Sequence, residues 1–371
     1  MATPTTDVDR WHMRAALGLA SRGLGTVAPN PAVGCVIVND GRIVGRGFTQ
    51  PGGRPHAETE ALREAGDLAC GATAYVSLEP CSHHGRTPPC AEALVASGVA
   101  RVVVAVTDPD PRVSGRGVAR LREAGIEVTE GVCADEARAL NDGFFRKVGE
   151  ERPMVTLKLA TSLDGMIAAL GGDSRWITGE EARRAGHLLR ARHDAVLTGV
   201  GTVLADDPML DCRIEGLGAR SPIRIVLDST LRTPIDSRLV LSARQVPLWL
   251  VASGHAAEQH AEPFREAGAE VLAVPTSSGG LDMPAVLRLL AERGITRVLA
   301  ESGRAVAGSL LQAGLVDRLA WFRAPAVIGG DGISALRSLG IVKVSAMPRF
   351  VSDGRVSLGQ DVLETYRRST Y

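Results

Sequence analysis

Short apolar runs alternate with stretches of helical period along the first part of the chain. The helical stretches space their apolar residues three and four positions apart, which predicts helices at residues 11–17, 57–65, 91–96 and 117–124. The apolar, β-branched runs between them predict strands at residues 33–38, 43–47, 74–78, 101–106 and 128–133. The turn Asn39-Asp40-Gly41 joins the first two strands into a hairpin. This order of elements is typical of an α/β domain.

The second part of the chain repeats the alternation. It predicts strands at residues 154–159, 194–198, 223–227, 248–252, 297–300, 319–322, 349–352 and 356–358, and helices at residues 179–192, 284–292 and 305–312. Polar residues cluster from Lys147 to Pro153, directly before the first of these strands. We therefore predict two domains, residues 1–147 and 153–371, joined by a polar linker. The length of 371 residues agrees, since single cores rarely grow beyond about 250 to 300 residues.

Charge and composition exclude several classes of protein. The chain has 42 basic and 42 acidic side chains, and this balance argues against a protein that holds nucleic acid by its phosphates. No run of eighteen apolar residues predicts a membrane span, and the stretch from Met1 to Asp9 lacks the apolar core of a secretory signal. Four cysteines are scattered singly, which favours free thiols in the cytoplasm; they are Cys35, Cys70, Cys133 and Cys212.

The chemistry of the first domain is indicated by His56-Ala57-Glu58 and by the stretch from Glu79 to Cys90. A catalytic zinc site takes three nitrogen or sulfur ligands and leaves its fourth position to water. His56, Cys81 and Cys90 supply those ligands, and Glu58 is placed to move a proton of the water. The pattern H-x-E followed by P-C-x-x-C is typical of zinc base deaminases.

The pattern is modified in one place, because eight residues rather than two separate Cys81 from Cys90. The surrounding sequence still places Cys81 at the end of a strand and Cys90 in the first turn of a helix, whose N-terminus favours a thiolate. The alternative is that both cysteines are ordinary buried thiols and that His56 is a loop residue. Four matching residues in the expected order favour the zinc site.

The second domain has no G-x-G-x-x-G after its first strand, so nothing supports a Rossmann fold. Polar groups instead follow the predicted strands, at residues 162–165, 174–178, 205–208, 228–229 and 301–303. Ligands of open α/β sheets bind at the carboxyl ends of strands, which predicts a site there. Each group by itself fits a turn or a cap equally well, and Thr178 with Glu181 forms a candidate capping box.

Taken in order, these stretches resemble a known family. Residues 157–165, 176–178 and 204–210 resemble the reductase half of the bifunctional riboflavin-biosynthesis deaminase/reductases. Residues 30–38 and the long loop from Pro80 to Cys90 resemble the deaminase half of the same family. The resemblance covers roughly residues 10 to 330 and keeps the family's domain order.

The resemblance implies a cytidine-deaminase-like α/β/α domain followed by a dihydrofolate-reductase-like α/β domain. The first would use zinc to deaminate 2,5-diamino-6-(5-phosphoribosylamino)pyrimidin-4(3H)-one by hydrolysis. The second would use NADPH to reduce the ribosyl unit at C1′ to an open ribityl chain. We expect a homo-oligomer, either a dimer or a tetramer, that acts on this small phosphorylated pyrimidine and binds neither nucleic acid nor a membrane.

The matching motifs also imply roles for individual residues. In the first domain, Asn30 would hold the pyrimidine, and His83 and Arg86 would bind the ribose phosphate. In the second domain, the NADPH site would be lined by Ala160, Trp176, Thr202, Asp206, Ser229, Gly303, Arg304, Ala305, Val306, Ala307, Gly308 and Ser309. Substrate contacts would come from Lys158, Ser174, Arg190, Leu210, Arg213 and Glu301. Ser302 stands where this family pattern leads us to expect glycine.

The choice between NADPH and NADH depends on Ser229 and Arg232, which follow the predicted strand 223–227. A hydroxyl and a guanidinium can both bond a 2′-phosphate, whereas NAD sites usually present a carboxylate to the ribose. Asp228 would repel the phosphate unless it turns away to cap its own turn, as we expect.

Two other functions fit parts of the sequence. One is a nucleic-acid base deaminase with an accessory ligand-binding domain, which the balanced charge disfavours. The other is a deaminase whose second domain is a regulatory, non-enzymatic module. Loss of a polar group at a strand end would favour that module, but Lys158, Asp206 and Glu301 are all present.

Overall fold

A computed structural model of the chain describes residues 6–82, 88–277 and 280–369. The chain divides into two compact units, Met1–Glu151 and Arg152–Tyr371. Within the described ranges, no helix is both long and apolar enough to cross a bilayer.

The first unit is built on a five-stranded sheet in the order β2-β1-β3-β4-β5, in which β3, β4 and β5 are parallel and β1 is antiparallel to both of its neighbours. Its strands are β1 (Gly34–Asn39), β2 (Arg42–Phe48), β3 (Thr73–Val76), β4 (Arg101–Val104) and β5 (Glu127–Glu130). Its helices are α1 (Asp7–Ala20), α2 (Ala57–Ala65), α3 (Cys90–Ala96), α4 (Arg116–Glu123), α5 (Ala134–Leu140) and α6 (Asp142–Glu150).

Glycines of β1 and β2 let helices lie directly on this sheet. A Cβ atom at Gly34 of β1 would lie 1.9 Å from the carbonyl oxygen of Ala16 in α1, and one at Gly47 of β2 would lie 2.0 Å from that of Ala57. Only glycine permits so close an approach. Because Ala57 is the first residue of α2, Gly47 determines how closely the start of that helix packs on the sheet.

The second unit contains a nine-stranded sheet in the order β11-β10-β9-β8-β14-β6-β15-β18-β17, parallel from β11 to β15 and antiparallel at its last two strands. Among the described residues, two smaller sheets pair β12 with β13 and β16 with β7. The strands of the whole unit are β6 (Met154–Thr161), β7 (Met166–Ala168), β8 (Ala195–Gly199), β9 (Ile223–Leu227), β10 (Leu248–Ser253), β11 (Glu270–Val274), β12 (Thr276–Ser277), β13 (Gly280–Leu281), β14 (Arg297–Ala300), β15 (Arg318–Arg323), β16 (Ile333–Ser334), β17 (Phe350–Leu358) and β18 (Asp361–Arg368). The helices are α7 (Glu180–Ala191), α8 (Val200–Asp206), α9 (Arg238–Leu241), α10 (Gly254–His260), α11 (Glu262–Glu266), α12 (Met283–Glu292) and α13 (Arg304–Gln312).

Strands β9, β8, β14 and β6 are consecutive and parallel, so their carboxyl ends meet at one edge of this sheet. They are almost wholly buried, with Leu157, Leu197 and Ile225 among the fully buried side chains. Continuous apolar runs of this kind are typical of parallel strands covered on both faces. The rigid sheet therefore places the polar residues that follow each strand close together.

Several local predictions were wrong. The polar stretch predicted as a linker is largely helical, because α6 continues to Glu150. The capping box at Thr178 does not form: α7 begins at Glu180 after Gly179, whose N–H donates to Asp361 Oδ2 at 2.6 Å. The two short strands predicted at 349–352 and 356–358 are one strand, β17, paired along its length with β18, which the sequence pattern did not reveal.

Candidate functional site

Three potential metal ligands come together in the first unit. His56 directly precedes α2, Cys81 follows β3, and Cys90 is the first residue of α3. His56 Nδ1 lies 3.3 Å from Cys90 Sγ and 3.7 Å from Cys81 Sγ, and the three ligand atoms all lie within 4.8 Å of one another. Nitrogen and sulfur ligands held tetrahedrally by one zinc ion lie roughly 3.3 to 3.8 Å apart. The donor set therefore fits zinc in both chemistry and spacing.

Glu58 lies in the first turn of α2 and is only 3% exposed. It is not part of the ligand cluster found among the described residues. Burial, together with the nearby Cys81 thiol, raises the pKa of the Glu58 carboxyl to about 7. A carboxyl that titrates near neutral pH can both accept and release a proton, as a general acid/base must.

The two thiols differ in a way that the sequence did not predict. The backbone N–H of Cys90, at the start of α3, donates to Cys81 Sγ at 3.3 Å. Hydrogen bonds from Cys90 and His56 lower the pKa of the Cys81 thiol to about 4, whereas the bond with Cys81 and burial raise the pKa of Cys90. The first turn of α3 therefore stabilises a thiolate at Cys81 through the Cys90 N–H.

Glu79 holds the loop that carries Cys81 and was missed as a site residue. Its buried carboxylate accepts backbone N–H groups of Gly115 and Gly117 at 2.9 Å each, and of Asp108 and Val118 at 3.2 Å each. Charge-assisted bonds of this kind are the stronger ones in proteins. The acidic residue directly before Pro80-Cys81 was a signal that could have identified it.

Of the residues predicted to bind the pyrimidine and its phosphate, Asn30 is half-buried and packs against Gly53, just before His56. A Cβ atom at Gly53 would lie 1.8 Å from Asn30 Nδ2. The structure thus brings Asn30 to the loop that leads into the ligand cluster. His83 and Arg86 lie outside the described residues.

In the second unit, a cavity of about 460 Å³ opens at the carboxyl ends of β6 and β14. It is lined by most of the predicted substrate and cofactor residues, namely Lys158, Ala160, Ser174, Trp176, Arg190, Thr202, Asp206, Leu210, Arg213, Glu301 and Gly303. The predicted cofactor residues Ser229 and Arg304 to Ser309 are outside its lining. The structure therefore gathers strand-end groups that lie far apart in the sequence.

Three charged side chains form the polar centre of this cavity. Glu301 accepts from Arg190 Nε at 2.6 Å and Arg190 Nη2 at 2.9 Å, and from Lys158 Nζ at 3.1 Å. Burial opposes ionisation of Glu301, but Arg190 and Lys158 outweigh it and hold the pKa of the carboxyl well below its usual range. The cluster thus presents a fixed cationic group, Lys158 Nζ, to whatever occupies the cavity.

Sequence reasoning also missed Arg183, which lines the same cavity. Its guanidinium carbon lies 4.6 Å from the centroid of the Trp176 ring, and its Nη1 donates to the carbonyl oxygen of Thr178 at 2.8 Å. Trp176 is 70% exposed, and the Arg183 guanidinium lies over its ring. Arg183, His187 and Arg190 recur at helical spacing along α7, a periodicity that could have identified the set.

Asp228 and Ser302 lie near the residues that were predicted to bind NADPH, and their side chains are paired differently. Asp228 is buried, and its Oδ2 accepts from Thr233 N at 2.7 Å and Thr233 Oγ1 at 2.8 Å, which confirms that it caps its own turn. Ser302 lines the cavity, and its buried hydroxyl finds no hydrogen-bond partner in the described ranges. The position at which glycine was expected therefore carries an unpaired donor.

Known proteins match both units of the chain. The model of the RibD C-terminal domain matches residues 153–363, and that of the cytidine and deoxycytidylate deaminase zinc-binding region matches residues 6–106. The riboflavin biosynthesis protein RibD of Escherichia coli K12 is 45% identical over 365 residues, covering 95% of this chain and 98% of its own. That of Aquifex aeolicus is 42% identical and covers 98% and 99%. The chain belongs to the RibD family.

Solved RibD structures have the same fold. RibD of Acinetobacter baumannii is 38% identical with a TM-score of 0.88, covering 98% of this chain and 99% of its own. A diaminohydroxyphosphoribosylaminopyrimidine deaminase/5-amino-6-(5-phosphoribosylamino)uracil reductase from Thermotoga maritima is 36% identical with a TM-score of 0.86 and the same coverage. The predicted combination of a cytidine-deaminase-like domain and a reductase domain is confirmed.

Membership of the RibD family makes this chain a zinc-dependent deaminase joined to a reductase of riboflavin biosynthesis. The match runs through both units of the chain, which removes the basis for a nucleic-acid base deaminase with an accessory domain. It likewise argues against a regulatory second domain, because the second unit matches the RibD C-terminal domain and its charged cavity is intact.

Proposed function

We propose that the chain catalyses two successive steps of riboflavin biosynthesis. It first deaminates 2,5-diamino-6-(5-phosphoribosylamino)pyrimidin-4(3H)-one and then reduces the resulting uracil to 5-amino-6-(5-phosphoribitylamino)uracil with NADPH. The observation that carries this proposal is the presence of two built sites on one chain: His56, Cys81 and Cys90 beside Glu58, and Lys158 and Arg190 around Glu301. Residues 1–147 would perform the first reaction and residues 153–371 the second.

In the deaminase unit, His56, Cys81 and Cys90 would hold zinc, which supplies a water of pKa near 7 as the nucleophile. The net change would be the replacement of the amino group at C2 of the pyrimidinone by a water-derived oxygen, with ammonia leaving from the same carbon. Glu58 would take the proton that the water gives up and return it to the departing nitrogen. Its burial keeps bulk water from competing for that proton. Asn30 would hold the pyrimidine, and His83 and Arg86 would bind the ribose phosphate.

In the reductase unit, NADPH would supply a hydride to C1′ of the ribosyl group, whose bond to the ring oxygen breaks. Ring opening leaves the ring oxygen with negative charge and in need of a proton. Lys158 would donate to that oxygen, since Glu301 holds its ammonium at the edge of the cavity. Arg213, whose side chain is 54% exposed in the cavity, would meet the substrate phosphate, and Arg190 would contact the substrate from its position against Glu301.

The remaining predicted residues would surround these groups. Ser174 and Leu210 would complete the substrate pocket, and Ala160, Trp176, Thr202, Asp206 and Gly303 would contact the cofactor. Thr202 Oγ1 accepts the N–H of Gly303 at 3.2 Å, which ties α8 to the turn before α13. Ser229 and the residues from Arg304 to Ser309 would meet parts of the long dinucleotide that extend beyond the cavity.

We further propose that the protein acts in the cytoplasm as a homo-oligomer, a dimer or a tetramer. None of the six cysteines forms a disulfide in the part of the chain that the structure describes, which suits a reducing compartment. Strand β17, at one end of the nine-stranded sheet, exposes Val351 and Val356 and offers backbone groups to a second copy.

The proposal is tested by giving the purified protein the diaminopyrimidinone phosphate with and without NADPH. Without NADPH, we expect ammonia release and no further change. With NADPH, we expect a fall in absorbance at the nicotinamide band that follows ammonia release. Oxidation of NADPH that precedes ammonia release, or no ammonia release at all, would contradict the proposed sequence of steps.

Cofactor preference gives a separate prediction. The Asp228 carboxylate is turned toward Thr233, so the end of β9 leaves Ser229 and the exposed Arg232 to meet a 2′-phosphate. A charge-assisted bond contributes roughly 1.5 to 3 kcal/mol, or at least about tenfold in affinity. We expect at least a tenfold lower KM for NADPH than for NADH, and a loss of this advantage in Ser229→Ala with NADH use unchanged. Equal use of both cofactors by the wild type would refute this role of Ser229.

A further inference from the structure

The second unit contains a small double loop, here called the flap, formed by residues 162–168 and 326–335. Strands β7 and β16 pair antiparallel within it, with Ile333 opposite Ala168 and Ser334 opposite Met166. Leu163 N–H donates to the Ala326 carbonyl oxygen at 2.7 Å. The flap begins where β6 ends, beside Lys158 and Ala160 of the cavity.

Asp164 binds the two halves of the flap together. Its Oδ2 accepts the N–H of Gly329 at 2.7 Å, and its carboxylate lies 3.2 and 3.3 Å from the N–H of Ile328. Ser162 Oγ donates to Asp164 Oδ1 and accepts the N–H of Met166 at 3.0 Å. The hydroxyl of Ser162 and the amide of Gly329 lower the pKa of the Asp164 carboxyl to about 2. An ionised carboxylate thus joins two segments more than 160 residues apart.

The flap forms part of the cavity wall and is also tied to the expected cofactor turn. Ile167 of one half and Ala335 of the other both line the cavity, and Ala335 N–H donates to Gly165 O at 3.0 Å. Just beyond Ala335, Arg337 N–H donates to Arg304 O at 3.3 Å and its Nη2 to Ser309 Oγ at 3.0 Å. The position of the flap therefore depends on Asp164 at one end and on α13 at the other.

From these contacts we infer that Asp164 is a positioning residue of the reductase site, holding Ile167 and Ala335 where they form one wall of the cofactor pocket. Asp164 itself does not line the cavity, and its two oxygens are occupied by the flap. It acts through the backbone of the flap and touches no reacting atom. The inference rests on the proposed reductase function of this unit.

The test compares Asp164→Ala and Asp164→Asn with wild type. A displaced wall weakens binding of the cofactor, because Ile167 and Ala335 would no longer lie against it. We expect Asp164→Ala to raise the KM for NADPH about tenfold or more, with kcat at saturating NADPH changed less than about threefold. Asp164→Asn keeps a neutral acceptor, so its KM for NADPH should lie between those of wild type and Asp164→Ala. Titration of NADPH without substrate, followed by tryptophan fluorescence, should show the same loss of affinity.

Asp331→Asn is the matched control, since it removes the same charge from the same loop. It should leave the KM for NADPH within about twofold of wild type. Ammonia release by the first unit of each variant serves as an internal measure of the amount of folded enzyme. A lower kcat with an unchanged KM for NADPH would mean that Asp164 only stabilises the fold. An unchanged KM and an unchanged kcat would mean that the flap does not position the pocket. Either result overturns the inference. Wild type that fails to oxidise NADPH would instead overturn the proposed function.

Discussion

Replacing Glu58 with glutamine should lower ammonia release about a hundred- to ten-thousand-fold while the protein keeps its zinc. Glutamine has nearly the same shape and fits the same buried position, but it cannot take a proton from water. The three ligand atoms of His56, Cys81 and Cys90 are unchanged by the substitution. Ammonia release and metal content, measured on the same preparation, check both halves of this expectation.

Cys81→Ser provides the comparison, because it removes a ligand and leaves Glu58 in place. This variant should lose both zinc and ammonia release, whereas Glu58→Gln should lose only the second. Reduction of chemically prepared deaminated substrate should continue in both, since its residues lie in the other unit. Near-normal ammonia release by Glu58→Gln, or equal zinc in Cys81→Ser and wild type, would contradict the assigned roles.

The second large effect is expected at Glu301. Its carboxylate, 10% exposed, balances Arg190 and Lys158, whose side chains are 13% and 21% exposed. Glu301→Gln leaves two neighbouring cations mostly buried without a counter-charge, and breaking a buried pair in this way costs about 3 to 5 kcal/mol. We expect the free energy of unfolding of the second unit to fall by that amount and reduction to be lost. Denaturant unfolding followed by tryptophan fluorescence measures it, since Trp176, Trp249 and Trp321 lie in this unit.

Glu364→Gln is the matched control. Glu364 pairs with Arg323 at 2.8 Å, but the arginine side chain is 37% exposed, so solvent screens the pair. Its loss should cost no more than about 1 kcal/mol. Equal losses in the free energy of unfolding for the two substitutions would show that the buried ion pairs of Glu301 contribute no more than a solvent-screened pair.

The same cluster sets a pH dependence. Arg190 and Lys158 hold the folded pKa of Glu301 below the value of about 4.3 expected for the unfolded chain. The contribution of the ion pairs to stability is therefore fully present above that pH and is lost as the pH falls through the lower, folded pKa. The free energy of unfolding of wild type, measured between about pH 4.5 and 8, should therefore show no loss of the contribution from these ion pairs.

Much of the deaminase site could be predicted because its signals are local. The interval between His56 and Glu58 and the proline before Cys90 depend only on the chain around them, and α2 and α3 begin where those residues predicted. The alternation of strands and helices likewise follows from side-chain periodicity. Prediction was weaker at Thr178, where the bond from Gly179 to Asp361 replaced a local cap.

Local sequence patterns therefore sufficed to predict the order of the two units, the metal-ligand set with its carboxyl group, and the strand-end groups of the reductase cavity. Three contacts became visible only in the folded chain: Lys158 and Arg190 meet at Glu301, Glu79 binds the backbone of residues 108–118, and Asp164 binds the flap. These bonds join residues 29 to 165 positions apart. Periodicity and spacing report a residue's near neighbours, whereas such distant pairs form only when sheet order and register bring their strands together.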